Sequence, residues 1–161
     1  MNFFDLDPRQ LPSATLYRVQ YDGCETIYHP ISGLTAQDTE TFYDDYDDIF
    51  VDFGRAVKDH LCWRRVTSLF ISLFADKQHA ENWALHWSAH HGGRSCQVFE
   101  ISASKMVGSY VFHADEIRKT LGLRVPPMAE ASIPDEYLVA WNIPQRAIVG
   151  CQTTEHIQRG G

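Results

Sequence analysis

Ser132-Ile133-Pro134-Asp135-Glu136-Tyr137-Leu138-Val139-Ala140-Trp141-Asn142-Ile143-Pro144-Gln145-Arg146-Ala147-Ile148-Val149-Gly150 places one acid at the mouth of an apolar run, then Ile-Pro, then a second apolar run closed by glycine. Pro134 fixes its own φ and restrains the residue before it, so a turn is predicted there. Tyr137 to Trp141 is rich in β-formers and reads as a strand, ended by Pro144; Ala147 to Val149 reads as a second, shorter one. Glu136 therefore sits at a turn-to-strand junction, where backbone on both sides fixes the direction of a carboxylate. An exposed glutamate at a strand start fits the same stretch, and other segments must decide between the two.

Working outward, Thr15 to Tyr21 reads as the first strand, after a lead-in arm over 1–14. Alternation sets Leu16, Arg18 and Gln20 on one face and Tyr17, Val19 and Tyr21 on the other. An arginine in mid-strand is either a surface cation or a site residue. Cys24 to Asp52 lacks regular pattern and ends in the acidic-aromatic run Phe42 to Phe50, which reads as solvated and mobile and lacks the spacing of a calcium loop. Phe53 to Cys62 is a candidate helix with Phe53, Ala56, Val57, His60 and Leu61 on one stripe. His60 there is a core histidine or a site residue.

Ser68 to Phe74 reads as a buried strand whose serines need hydrogen-bond partners. Asp76 is a plausible N-cap for a helix carrying Ala80, Trp83, Ala84 and Trp87, stopped by Gly92-Gly93. His86 and His90 are four apart, a usable metal spacing, but no third ligand accompanies them, so structural histidines are expected. Arg94 to Ile101 is a third strand, Val107 to His113 a fourth, and Asp115 to Leu121 a short helix ending at Gly122. Thr153 to Gly161 reads as a frayed end. The whole is one α+β domain over residues 1–161: the arm, a core over 15–150, and a tail over 151–161.

The bulk properties agree. A hydrophobic content of 44% in 161 residues suits a folded single domain. A net charge of −7 argues against nucleic-acid binding, which needs a basic face. No apolar run is long enough for a membrane span and no signal-like segment opens the chain, so cytoplasmic and secreted settings both stay open. Four scattered cysteines without a Cys-x-x-Cys pair point to reduced, mostly buried thiols.

Three stretches, in order, resemble the ADP-ribosyltransferase toxins of the cholera and heat-labile enterotoxin A-subunit type. That family carries Leu-Tyr-Arg in its first strand, a Ser-Thr-Ser strand followed by a helix, and a late Glu in a turn entering a strand. Leu16-Tyr17-Arg18 matches the first. Ser72-Leu73-Phe74 keeps the leading serine of the second. Glu136, followed by Ile143-Pro144, Ile148 and Gly150, matches the third. The resemblance implies a split β-sheet core with flanking helices, NAD as substrate, a protein acceptor and no metal. It implies Glu136, Ser72 and Arg18 as the catalytic set, with Arg18, Ser72 and His60 holding the cofactor and the acidic-aromatic run serving as a lid. Nicotinamide would leave while Glu136 holds the ribose 2′-hydroxyl and steadies an oxocarbenium-like state. Two departures stand out: Pro134 occupies the position of the second Glu of arginine-modifying members, and the serine motif is trimmed. Both leave open a catalytically inactive scaffold that binds a protein partner. Glu136→Gln is expected to abolish NAD cleavage with melting behaviour nearly unchanged.

Overall fold

A computed structural model describes residues 1–44, 48–64 and 66–160. In chain order its strands are β1 (Thr15–Gln20), β2 (Ile27–His29), β3 (Gly33–Thr35), β4 (Phe70–Phe74), β5 (Gln97–Ser102), β6 (Val111–His113), β7 (Glu136–Ala140), β8 (Asn142–Ile143) and β9 (Ile148–Thr153). Its helices are α1 (Gly54–Leu61), α2 (Lys77–His90), α3 (Ala114–Leu121), α4 (Pro127–Glu130) and α5 (Thr154–Gln158). The α+β class expected from the sequence holds, and the strands form two antiparallel sheets, ordered β6-β7-β4-β1-β5-β9 and β2-β3-β8.

The larger sheet is covered on both faces. Leu16, Ile71, Leu73, Ile101 and Val139 pack against Leu34 and Ile143 of the smaller sheet. On the other face two helical clusters sit apart. Phe70 and Leu138 meet Val57 and Leu61 of α1 and Ile117 of α3. Val19, Phe74 and Val98 meet Ala80, Ala84 and Trp87 of α2. A strand covered on both faces reads as a near-continuous apolar run, which is why Phe70-Ile71-Ser72-Leu73-Phe74 has so little alternation. Ser72 lies on the helical face between Phe70 and Phe74, at the gap between the two clusters.

The sheet is also split. β1 and β5 pair along six positions, but β1 and β4 pair at Tyr17–Phe74 and then part. The opening lies beside Ser72.

Several segments differ from the sequence reading. The stretch from Cys24 to Asp52 holds the β2–β3 hairpin, and Ile49–Phe53 forms a π-helical turn leading into α1. Residues 45–47 of the acidic-aromatic run lie outside the described residues. Phe42 is exposed, as expected, but one face of its ring stacks on Trp141, with centroids 5.9 Å apart. The end expected to fray from Thr153 is ordered: Thr153 closes β9, paired to β5, and Thr154–Gln158 form α5, where Thr153 accepts a capping hydrogen bond from the His156 N–H at 3.3 Å. These residues find partners because Cys96 and Gln97 offer backbone and edge positions to receive them. All four cysteines are free thiols, and Cys96 alone among them is buried.

Candidate active site

The turn before Glu136 is fastened from both sides. His79 Nδ1 lies 2.7 Å from Asp135 Oδ1, and the Asp76 N–H donates to Asp135 Oδ2 at 3.1 Å. The Ala75 N–H donates to the Asp135 carbonyl at 2.9 Å, and His113 Nε2 bonds the Pro134 carbonyl at 3.0 Å. Histidines of α2 and β6 thus hold a short 3₁₀ turn, Ile133–Asp135, rigid against β4 and β6. Glu136 follows as the first residue of β7, opposite Phe74, and is only 8% exposed. Ser72 pairs with Leu138, so its side chain and that of Glu136 are diagonal neighbours on one face.

His60 joins them from α1. Its Nε2 lies 2.6 Å from Ser72 Oγ and its Nδ1 lies 2.7 Å from Ser68 Oγ. Burial, aided by the Arg18 charge, pushes its pKa down to about 4, so the ring is neutral at pH 7. A neutral imidazole has one donor and one acceptor nitrogen. The Ser72 hydroxyl lowers the Glu136 pKa, the effect of a hydroxyl turned toward the carboxylate. With Ser72 donating toward an ionised Glu136, its Oγ accepts from His60 Nε2–H and Nδ1 accepts from the Ser68 hydroxyl. Ser68 Oγ in turn accepts the Phe70 N–H at 3.1 Å. Ser68, His60 and Ser72 thus form one hydrogen-bonded row that ends beside Glu136.

Burial dominates at Glu136 and raises its pKa to about 7; Ser72 and Arg18 lower it, and the neighbouring Asp135 raises it. Titration near neutrality in a cleft is a mark of functional carboxylates.

Arg18 reaches the same place through the split. Its Nη1 donates to the Ser72 carbonyl at 3.1 Å, a group that β1 would otherwise pair. Its Nε donates to Gln20 Oε1 at 3.1 Å, and its Nη2 faces Cys24 Sγ at 3.6 Å. Gln20 is itself held by donating to the Thr26 carbonyl at 2.6 Å. All four residues expected from the sequence (Arg18, His60, Ser72 and Glu136) line one cavity of about 590 Å³. That volume lies within the range of small-ligand sites. Its walls include Tyr21 and Trp83 on the α2 side and Trp63 just after α1.

Ser68, Gln20, Cys24 and Trp63 are contacts that motif reading did not single out. Ser68 had a signal, since alternation already sets it on the face of Ser72. A smaller cavity of about 230 Å³ shares His60, Val66 and Ser68 with the first and is edged by Asp38, Asp52 and Asp59. His86 and His90 lie away from both: their rings are 4.0 Å apart, with His90 Nδ1 bonded to the His86 carbonyl at 2.8 Å. Among the described residues no group of three His, Cys, Asp or Glu side chains is placed to hold a metal ion, and no helix is long and apolar enough to cross a membrane.

A family model described as a domain of unknown function, DUF7587, matches residues 11–157. No curated protein matches the sequence. Among solved structures, EcPltA, an ADP-ribosyltransferase toxin subunit, is similar with a TM-score of 0.57 at 12% identity. The match covers 88% of this chain and 76% of that one. At that identity the likeness concerns the fold, which is ADP-ribosyltransferase-like.

Proposed function

We propose that this chain, which belongs to the DUF7587 family, cleaves the nicotinamide–ribose bond of NAD and transfers ADP-ribose to a protein acceptor or to water. One observation carries the reading: a guanidinium, a histidine-oriented hydroxyl and a buried carboxylate converge on one cavity of about 590 Å³. Nicotinamide leaves as a neutral molecule, so the site needs no strong general acid. It needs negative charge beside the ribose as the glycosidic bond stretches, and Glu136 supplies it. Ser72 keeps that carboxylate aimed. Arg18 presents a planar donor fork suited to a ribose-phosphate oxygen, and it exchanges the Ser72 carbonyl for the ligand as it does so. His60, neutral, holds Ser72 without adding charge that would compete with the developing cation.

Glu136→Gln keeps the shape of the site and removes the charge. Nicotinamide release is expected to fall by at least ~100-fold; full turnover in this variant refutes the assignment. Because the reaction needs the carboxylate, kcat/KM of the unmodified protein should rise with pH through about 7.

A second reading, a scaffold that docks a protein partner without turnover, is favoured by Leu73 and Phe74, which are buried core residues where the related toxins carry hydroxyls. Calorimetric titration with NAD separates the two: an inactive scaffold of this kind gives no binding heat and releases no nicotinamide.

A further inference from the structure

α1 and α3 end in the same way, apart from one residue. In α3 the Gly122 N–H donates to the Lys119 carbonyl and the Leu123 N–H to the Arg118 carbonyl, with Gly122 at φ +63°. In α1 the Trp63 N–H donates to the His60 carbonyl at 3.2 Å and the Arg64 N–H to the Asp59 carbonyl at 3.0 Å, with Trp63 at φ +53°. Both are Schellman closures, in which the left-handed position is normally glycine because it has no Cβ to clash. A bulky aromatic residue there is an outlier that needs a reason.

Packing does not give that reason. Trp63 is 60% exposed, and among the described residues no ring stacks on it and no cation lies over it. What the left-handed turn does is set the indole at the edge of the large cavity, three residues after His60. A left-handed helix stop is also a stiff mount, closed here by two backbone hydrogen bonds. Strained backbone that persists without a packing benefit clusters at ligand clamps.

Resting on the NAD reading above, we propose that Trp63 is the stacking platform for a planar heteroaromatic base of the dinucleotide. Its π-face recognises the ring without reading its edge. Adenine and nicotinamide share this chemistry, and Trp63 would take one of them while Glu136 holds the ribose between.

The test is calorimetric titration of the full chain with NAD, ADP-ribose and nicotinamide mononucleotide, comparing the parent protein with Trp63→Phe, Trp63→Leu and Trp63→Gly. Loss of a base–aromatic stack corresponds to roughly 5- to 150-fold in affinity. Trp63→Phe is expected to bind NAD within a few-fold of the parent, and Trp63→Leu, with bulk but no π-face, to weaken by roughly tenfold or more. Trp63→Gly should weaken similarly while melting within a few degrees of the parent, since glycine suits the position. If it unfolds, the Phe and Leu pair still decides. Selective loss of ADP-ribose affinity assigns adenine; selective loss of mononucleotide affinity assigns nicotinamide. Leu and Phe variants that bind all three ligands like the parent overturn the platform while leaving the NAD reading intact. A parent protein that binds none of the three overturns both.

Discussion

Glu136 and His60 titrate in opposite directions, and their opposition should be visible in stability. Glu136 is raised from 4.5 to about 7, so its contribution to stability is present at low pH and is lost as pH rises through about 7. The size is on the order of 3 kcal/mol, from about 1.36 kcal/mol per pKa unit. His60 is depressed from 6.5 to about 4, so its contribution is present above 6.5 and lost as pH falls through about 4. Between about 4.5 and 6.5 the two slopes cancel. Thermal melts of Glu136→Gln should therefore match the parent near pH 5 and exceed it by several degrees at pH 8. This refines the expectation of unchanged melting, which holds only on the acid side. His60→Gln should instead lose melting temperature steadily as pH rises from 5 to 7. Equal shifts at pH 5 and pH 8 in Glu136→Gln would refute the burial argument. Arg18, Ser72 and Glu136 were readable in the sequence because each sits in a short motif. The hydrogen-bonded row was not, because Ser68 and His60 belong to different elements and only the fold brings them within 2.7 Å.

At the scale of elements, β3 shows how closely the smaller sheet is built. Gly33 sits at φ +93°, and a Cβ there would meet the Ile143 carbonyl oxygen at 2.2 Å and the Gln145 nitrogen at 2.7 Å. These are backbone atoms of β8 and the turn after it, so they cannot step aside. Gly33→Ala should cost at least about 2 kcal/mol, through forced positive φ and a displaced β8. Denaturant titration measures it, and Gly108→Ala, whose Cβ would meet nothing within 4 Å, is the comparison at the same φ of +93°. If the two variants lose equal stability, the close approach at Gly33 is not what matters. The β2–β3 hairpin escaped sequence reading because its strands are three residues long, with Ile27 and His29 exposed, too few positions for alternation to register. The longer strands and α2 were legible because buried runs, an Asp76 cap and the Gly92-Gly93 stop are local signals. The second half of β9 and α5 were missed because their order is conferred by β5, far away in sequence.

Across the whole molecule, β1 and β4 part between two helical clusters, and Arg18 bridges that gap by donating to the Ser72 carbonyl. Lysine is long enough to reach the opening but has no planar fork to serve both the Ser72 carbonyl and Gln20. Arg18→Lys is expected to weaken NAD binding about tenfold by calorimetry with little change in melting. Unchanged affinity would mean that Arg18 only finishes the sheet. The fold class was legible because three motifs fall in a family's order, which carries topology along with it. The split β-sheet core came with that resemblance; the tight crossing after β7 did not, since it turns on one residue's backbone conformation. Trp141 stands at φ +67° between β7 and β8, with its N–H on the Leu69 carbonyl, its carbonyl accepting from Ala36 and its indole donating to Thr41 at 2.7 Å. It is the one-residue step by which the chain leaves the larger sheet after β7 and enters the smaller one at β8. Lengthening that step by one residue would turn Ile143 away from the core and Asn142 into it, so homologues and engineered chimeras alike should place their length variation elsewhere.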